Sequence, residues 1–286
     1  MIVSRFAPSP TGGLHLGHAW SAIQAHDRAR DHNGRFLLRI EDTDVTRSRP
    51  EHVAGILEDL EWLGLGWDDL SIQSERLAFY DAALDRLREE GLAYPCFCTR
   101  AEIAREVAAS LHAPHGPDGP LYPGTCRALD PATRGERMAS EAYAWRLDAG
   151  EAAGRAGPLT WTDELAGTIP VEPLMLGDLV LKGKDRPASY HLAVVVDDAA
   201  QGITHVVRGR DIVPSTHAHR LLQAVLDLPE PVYHHHALVL GAEGDRLAKR
   251  HGAPTLADWR AEGMGGVALA SRLRAGELPV GFGFDR

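Results

Sequence analysis

Cysteine is nearly absent: a chain of 286 residues carries only Cys96, Cys98 and Cys126. So small and odd a number excludes the disulfide framework of a secreted mini-domain and makes a reduced, cytoplasmic setting the expectation. No apolar run approaches the roughly 18 residues that a membrane span requires. The opening MIVSRFAPSP lacks the basic-then-apolar order of a signal peptide. Positive charge is also scarce, with 30 Lys+Arg against 40 Asp+Glu, a net −10. That balance excludes a protein that coats RNA through a global positive field. It leaves room for a local grip, through Arg127, Arg134 and Arg137 or through Lys182, Lys184 and Arg186. No internal repeat or low-complexity tract is visible. What is present, 44% hydrophobic and 24% charged residues, is ordinary globular composition with length for one large domain or two medium ones.

Along the chain, a short apolar strand at 2–7 breaks at a Pro/Gly turn, a helical pattern runs from 14 to about 31, and 35–41 reads as a second buried strand. Amphipathic helices are expected at 51–63 and 74–90, ending near Gly64 and Gly91. Strand, Gly-rich turn, helix and strand begin a doubly wound α/β unit. The middle differs. Residues 110–123 hold four Pro and two Gly and read as loop, and short strands at 143–147, 159–162 and 178–181 suit a smaller inserted region. Periodicity does not decide between strand and helix for 191–196. A strand at 204–207, a helix at 215–226, a segment at 234–240, a charged turn at 241–251 and two short helices complete the expectation.

The turn PSPTGGLHLGH at 8–18 carries the first chemistry. Gly12, Gly13 and Gly17 allow close approach of a ligand to the backbone, and a helix N-terminus there favours anions. His15 and His18, three apart, share a helix face and can donate to phosphate oxygens together. Such a turn alone is also compatible with two solvated histidines. Metal binding by the pair lacks a third ligand nearby in sequence.

RFAPSPTG at 5–12 with HLGH at 15–18 resembles the His-Ile-Gly-His signature of class I aminoacyl-tRNA synthetases in its glutamyl version, and LRIEDTD at 38–44 resembles a second block of that branch. The resemblance implies an ATP-dependent ligase with a Rossmann-like, doubly wound parallel sheet and an inserted zinc-containing α+β region. A short helical C-terminal segment follows. The implied division is 1–94 and 188–240 for the two halves of the catalytic domain, 95–187 for the insert, and 241–286 for the ATP loop and C-terminal helices. RLAKR at 246–250 takes the place of the Lys-Met-Ser-Lys-Ser-like loop, with Arg246 at its first basic position and Lys249 at its key lysine. Leu and Ala replace the motif's Met and Ser, so charge and spacing alone remain. A mobile cation there meets charge developing as pyrophosphate departs. By the same resemblance Pro8, Gly17, His18, Arg246 and Lys249 face ATP, which brings Mg²⁺, and His15, His18 and Lys249 are catalytic.

A glutamate pocket must hold one cation and two carboxylates, which suits planar Arg for the carboxylates and a carboxylate for the ammonium. The resemblance puts Arg5, Ala7 and Ser9 at its floor, Glu41 at the amino group, and Tyr190 and Arg208 beside them. Arg208 is expected to read the side-chain carboxylate with Tyr190, an exchange of roles with Arg5 being open. Taken singly, Arg5 could pair with Asp42 or Asp44, Glu41 could cap a helix and Tyr190 could be core. AVVVDD at 193–198 departs from the branch's Ala-Asn-Val-Val-Asp-Asp, which implies an altered pocket.

Cys96, Cys98 and Cys126 read as a structural Zn²⁺ site. The resemblance makes Tyr122 the fourth ligand, while general chemistry favours His112 or His115. Three unlinked cysteines are the bland alternative. With the chain ending at Arg286, no anticodon-binding domain is expected. The closest resemblance is then to the stand-alone paralogues of the branch, for which the acceptor implied is queuosine at the wobble position of tRNA(Asp). A monomer is expected. Charging of a tRNA 3′ end or a non-tRNA acceptor stays open, as does an inactive module that only binds glutamate or ATP.

Overall fold

The computed structural model describes residues 1–109, 115–117, 119–245, 247 and 254–285. In chain order its elements are β1 (Val3–Phe6), α1 (Leu16–Arg30), β2 (Arg35–Ile40), α2 (Pro50–Trp62), β3 (Asp69–Ile72), α3 (Leu77–Glu89), β4 (Ala93–Cys96) and α4 (Arg100–Ala109). There follow β5 (His115–Gly116), β6 (Gly119–Pro120), α5 (Pro131–Ser140), β7 (Ala144–Leu147), α6 (Ala149–Ala156), β8 (Thr160–Asp163), β9 (Gly167–Pro170) and β10 (Val180–Lys182). The chain closes with α7 (Tyr190–Ala200), β11 (His205–Gly209), α8 (Val213–Val225), β12 (Val232–His236), β13 (Val239–Leu240), α9 (Leu256–Ala261), α10 (Gly266–Arg274) and β14 (Gly283–Phe284).

β1, β2 and β3 pair in parallel, as do β11, β12 and β8, with β9 antiparallel at the outer edge. The two groups meet where β1 lies beside β11, the Thr204 N–H donating to the Val3 carbonyl at 2.9 Å. The chain winds away from this seam in both directions, so a crevice opens beyond the carboxyl ends of β1 and β11. β2 is buried along all but its first residue, as expected of a parallel strand covered on both faces. α1 buries Leu16, Ala19, Ala22, Ile23, Ala25 and Ala29 at 3–4 residue spacing, and its alanines let the backbone lie close to the sheet. Its last turn carries Arg28 and Arg30, which complement the helix dipole.

α7 answers the question periodicity left open. All residues from Leu192 to Asp198 are buried, so the helix has no solvent face to give a period of 3.6. The expectation for 159–162 needs correction. β8 does not belong with the insert's sheet of β10, β7 and β4; it hydrogen-bonds beside β12 in the main sheet. Its Trp161 packs in the core with Val3, Leu37 and Tyr233, which is what draws this strand away from the insert. β3 and β4 were not legible, because each is four residues long and lacks alternation. Among the described residues no helix is long and apolar enough to cross a membrane.

Candidate active site

A cleft of about 480 Å³ lies at the seam. Its walls come from the end of β1 and the turn after it (Arg5, Ala7, Pro8, Ser9), from the start of α1 (His15, Gly17, His18), and from Glu41, Tyr190 and Arg208. Residues expected from sequence to touch glutamate or ATP therefore share one cavity, with two exceptions: Arg246 and Lys249 lie outside the described residues. Leu247, between them, lines the cleft and approaches Gly17.

At α1 the His15 backbone N–H donates to His18 Nδ1 at 3.1 Å, and the two rings stack with centroids 3.7 Å apart. A side chain at Gly17 would come within 3.3 Å of the His15 ring, so glycine is what lets that ring lie over the helix start. The start of α1 thus brings its dipole and two imidazoles to the wall of the cleft, a fitting receptor for phosphate.

Arg5 does not pair with Asp42 or Asp44. Its Nε donates to Asp198 Oδ1 at 3.0 Å and Nη2 to Oδ2 at 3.4 Å. Asp42 instead accepts from Ser74, and Asp44 pairs with Arg186. Asp198 also receives Arg39 Nη2 at 2.6 Å. Burial alone would raise the Asp198 carboxyl, but Arg5 and Arg39 hold it below its ordinary value. Arg5 thus has an anionic partner, which it shares with Arg39.

Arg208 is different. It is 5% exposed, and its guanidinium donates to His235 Nε2 (3.1 Å), Thr216 Oγ1 (2.6 Å) and Tyr190 Oη (3.4 Å), with His219 Nδ1 at 3.3 Å. None of these is anionic, and no carboxylate of the described residues lies within ion-pair distance of it. Burial pushes His235 down to about 4, with Arg208 adding to the effect, and lowers His219 in the same way. A buried, uncompensated guanidinium is costly alone and attracts a carboxylate strongly.

Glu41 is the complement. It does not cap a helix; its side chain is 8% exposed and Oε1 is buried without a hydrogen-bond donor, Arg39 Nη1 standing 4.0 Å away. Burial raises its carboxyl to about 7, against the pull of Arg39 and Arg5. Tyr190 is 39% exposed, so it is wall and not core.

The model of class I tRNA synthetases (E and Q), catalytic domain, matches residues 1–275. The chain belongs to this family. The synthetase is 47% identical to a glutamyl-Q tRNA(Asp) synthetase of Rhodobacter capsulatus over 268 residues, 92% of this chain and 96% of that protein. It is 40% identical to a glutamate–tRNA ligase of Aquifex aeolicus over 95% of this chain and 56% of that one. A glutamate tRNA ligase of Elizabethkingia meningosepticum, solved with its amino acid, superposes with TM-score 0.73 at 30% identity, covering 88% of this chain and 52% of that one.

At the end of β4 and beyond it, the three cysteine sulfurs lie within 4.8 Å of one another, Cys98 and Cys126 at 3.5 Å. That is far beyond a disulfide of about 2.05 Å. It matches the edge of about 3.8 Å that a tetrahedron with Zn–S bonds of about 2.3 Å demands. Tyr122 Oη lies 3.7 Å from Cys98 Sγ and accepts from the Cys126 N–H at 2.9 Å. His112 lies outside the described residues, as does the side chain of His115. The donor set fits a zinc ion.

Sequence reasoning assigned no role to Arg39, Asp197, Asp163, Thr216, His219 or His235. A signal existed for some of them. Arg39 sits between Leu38 and Ile40 in a buried strand, and Asp197 and Asp198 follow three valines. Charges inside apolar windows need partners. Of the cations read as a possible RNA grip, Arg127, Arg137, Lys182 and Arg186 are each paired with a carboxylate.

Proposed function

We propose that this protein condenses L-glutamate with ATP to glutamyl-adenylate and passes the glutamyl group to queuosine at the wobble position of tRNA(Asp). The carrying observation is the pairing within one cleft of an uncompensated guanidinium, Arg208, with an unsatisfied carboxylate, Glu41. A ligand with a terminal carboxylate and an ammonium satisfies both. Arg5 already has an anionic partner in Asp198, whereas Arg208 has none among the described residues, so Arg208 with Tyr190 reads the side-chain carboxylate, and Arg5, Ala7 and Ser9 form the floor.

An oxygen of the α-carboxylate attacks the α-phosphorus of ATP; the new P–O bond forms as the bond to pyrophosphate breaks. The nucleophile is already anionic, so no general base is required. His15, His18 and the first N–H groups of α1 take up charge on the phosphates, with Pro8 and Gly17 beside them and Arg246 and Lys249 supplied by the neighbouring loop. Mg²⁺ brought by the nucleotide would supply charge neutralisation on its phosphate oxygens. Cys96, Cys98, Cys126 and Tyr122 would hold zinc with no open position, a structural role. The divisions 1–94, 95–187, 188–240 and 241–286, amended in that β8 and β9 return to the main sheet, a cytoplasmic setting and a monomeric state belong to the same reading.

The match at 47% identity across 96% of the Rhodobacter capsulatus protein supports the acceptor. Glutamate-dependent exchange of pyrophosphate into ATP tests the first step, and its absence leaves only a binding module. Charging of tRNA(Asp) with and without queuosine tests the second. Equal charging of unmodified tRNA(Glu) would turn the assignment to a 3′-end ligase.

A further inference from the structure

His235 is fixed on both sides. Asp163 Oδ2 accepts from its Nδ1 at 2.7 Å and from its backbone N–H at 3.2 Å. The ring lies parallel to Tyr233, centroids 5.7 Å apart, and edge-on to Trp161. Asp163 is itself oriented, its Oδ1 accepting from the N–H groups of Leu165 and Ala166. Because Asp163 takes the Nδ1 proton, Nε2 presents a lone pair, and that lone pair receives the Arg208 Nε–H. The result is a line, carboxylate, neutral imidazole, guanidinium, in which the acid orients the cation without touching it.

Direct contact would do something else. Arg5 shows it in the same cleft: a carboxylate against the guanidinium, here shared with Arg39, offsets its charge before any ligand arrives. We propose that Asp163 and His235 are positioning residues that hold Arg208 rigid while keeping its charge uncompensated, and that this spacing sets the choice of glutamate over glutamine. The inference rests on Arg208 as receptor of the substrate carboxylate. An amide leaves the buried cation unpaired; a carboxylate pairs with it. Thr216 and His219 complete the cradle with neutral acceptors, so among the described residues no acid on its other side quenches the charge.

The test relocates the negative charge. His235→Glu, long enough to reach the place of Nε2, puts a carboxylate against Arg208, and Asp163→Asn/His235→Glu does so while avoiding two adjacent acids. His235→Gln keeps a neutral acceptor for Arg208 and a donor for Asp163. For each variant and the parent, calorimetry measures L-glutamate and L-glutamine binding, and pyrophosphate exchange gives kcat/KM for both; a thermal melt confirms folding. His235→Gln should keep the glutamate-to-glutamine ratio within about threefold. Both carboxylate variants should lower it by about 10²-fold, through lost glutamate affinity. A merely structural histidine would weaken both amino acids alike and leave the ratio unmoved. Ratios within about threefold of the parent in the carboxylate variants overturn the proposal. Calorimetry reads the ratio without turnover, so missing exchange in the parent sinks the activation reading alone.

Discussion

At the scale of single residues the cleft is defined by what its charges lack. Glu41, raised to about 7, is protonated in part of the physiological range and must ionise to receive an ammonium. The KM for glutamate should therefore rise about tenfold as pH falls from 8 to 6, following the ionised fraction of a group near 7; steady-state exchange at several pH values checks it. The sign for stability is opposite. A carboxyl raised above its unfolded value favours the ligand-free fold below the ordinary range near 4.5, and that contribution is lost as pH climbs through about 7. Glutamate should accordingly raise the melting temperature more at pH 8 than at pH 6. Glu41→Gln should remove both dependences. Lys249→Ala, in the basic loop, should slow adenylate formation by roughly 10²-fold or more, as loss of one transition-state donor does. Near-normal exchange in that variant would show that the loop's charge lies idle.

At the scale of elements, Ser189 caps α7, its hydroxyl accepting from the Leu192 N–H at 3.3 Å, immediately before Tyr190. Ser189→Ala should cost about 1 kcal/mol in urea unfolding. Cys98→Ser should release zinc and loosen the sheet of β4, β7 and β10 while leaving glutamate affinity nearly intact; elemental analysis and calorimetry read the two effects separately. Zinc-free parent protein, freshly purified, would remove the metal site from consideration. Much of this level was legible beforehand. β1, α1 and β2 follow from a buried run, a Pro/Gly turn and 3.6-residue spacing, and the signature residues that line the cleft lie on those same segments. α7 was not legible, since burial on all sides erases periodicity. β8 was misplaced because partner choice between sheets depends on Trp161 meeting Tyr233, a contact made across about seventy residues of chain. The Arg208 cradle was hidden for the same reason: Asp163, Thr216, His219 and His235 come from three elements, and no window of sequence shows them together.

At the scale of the whole molecule, one ionic network ties β1, β2 and α3 to α7. Asp197, with 0% side-chain exposure, accepts from Gln73, Arg76 and Tyr80, and Arg39 lies 3.7 Å away. Asp198 joins Arg39 to Arg5. Asp197→Ala should cost about 3–5 kcal/mol, because two cations lose a buried partner, and chemical denaturation measures it. Asp198 is held below its ordinary value of 3.8, so its contribution is present above that pH and disappears as pH falls through the lowered value. Position of the strands also bears on engineering. The segment 95–187 leaves the sheet at β4 yet sends β8 and β9 back into it before β10 returns outward. It is consequently no detachable cassette: excising it in one piece would remove Trp161 and Asp163 and unseat the imidazole behind Arg208. A chimera that borrows another protein's RNA-facing module should keep 159–171 from this chain and splice on either side.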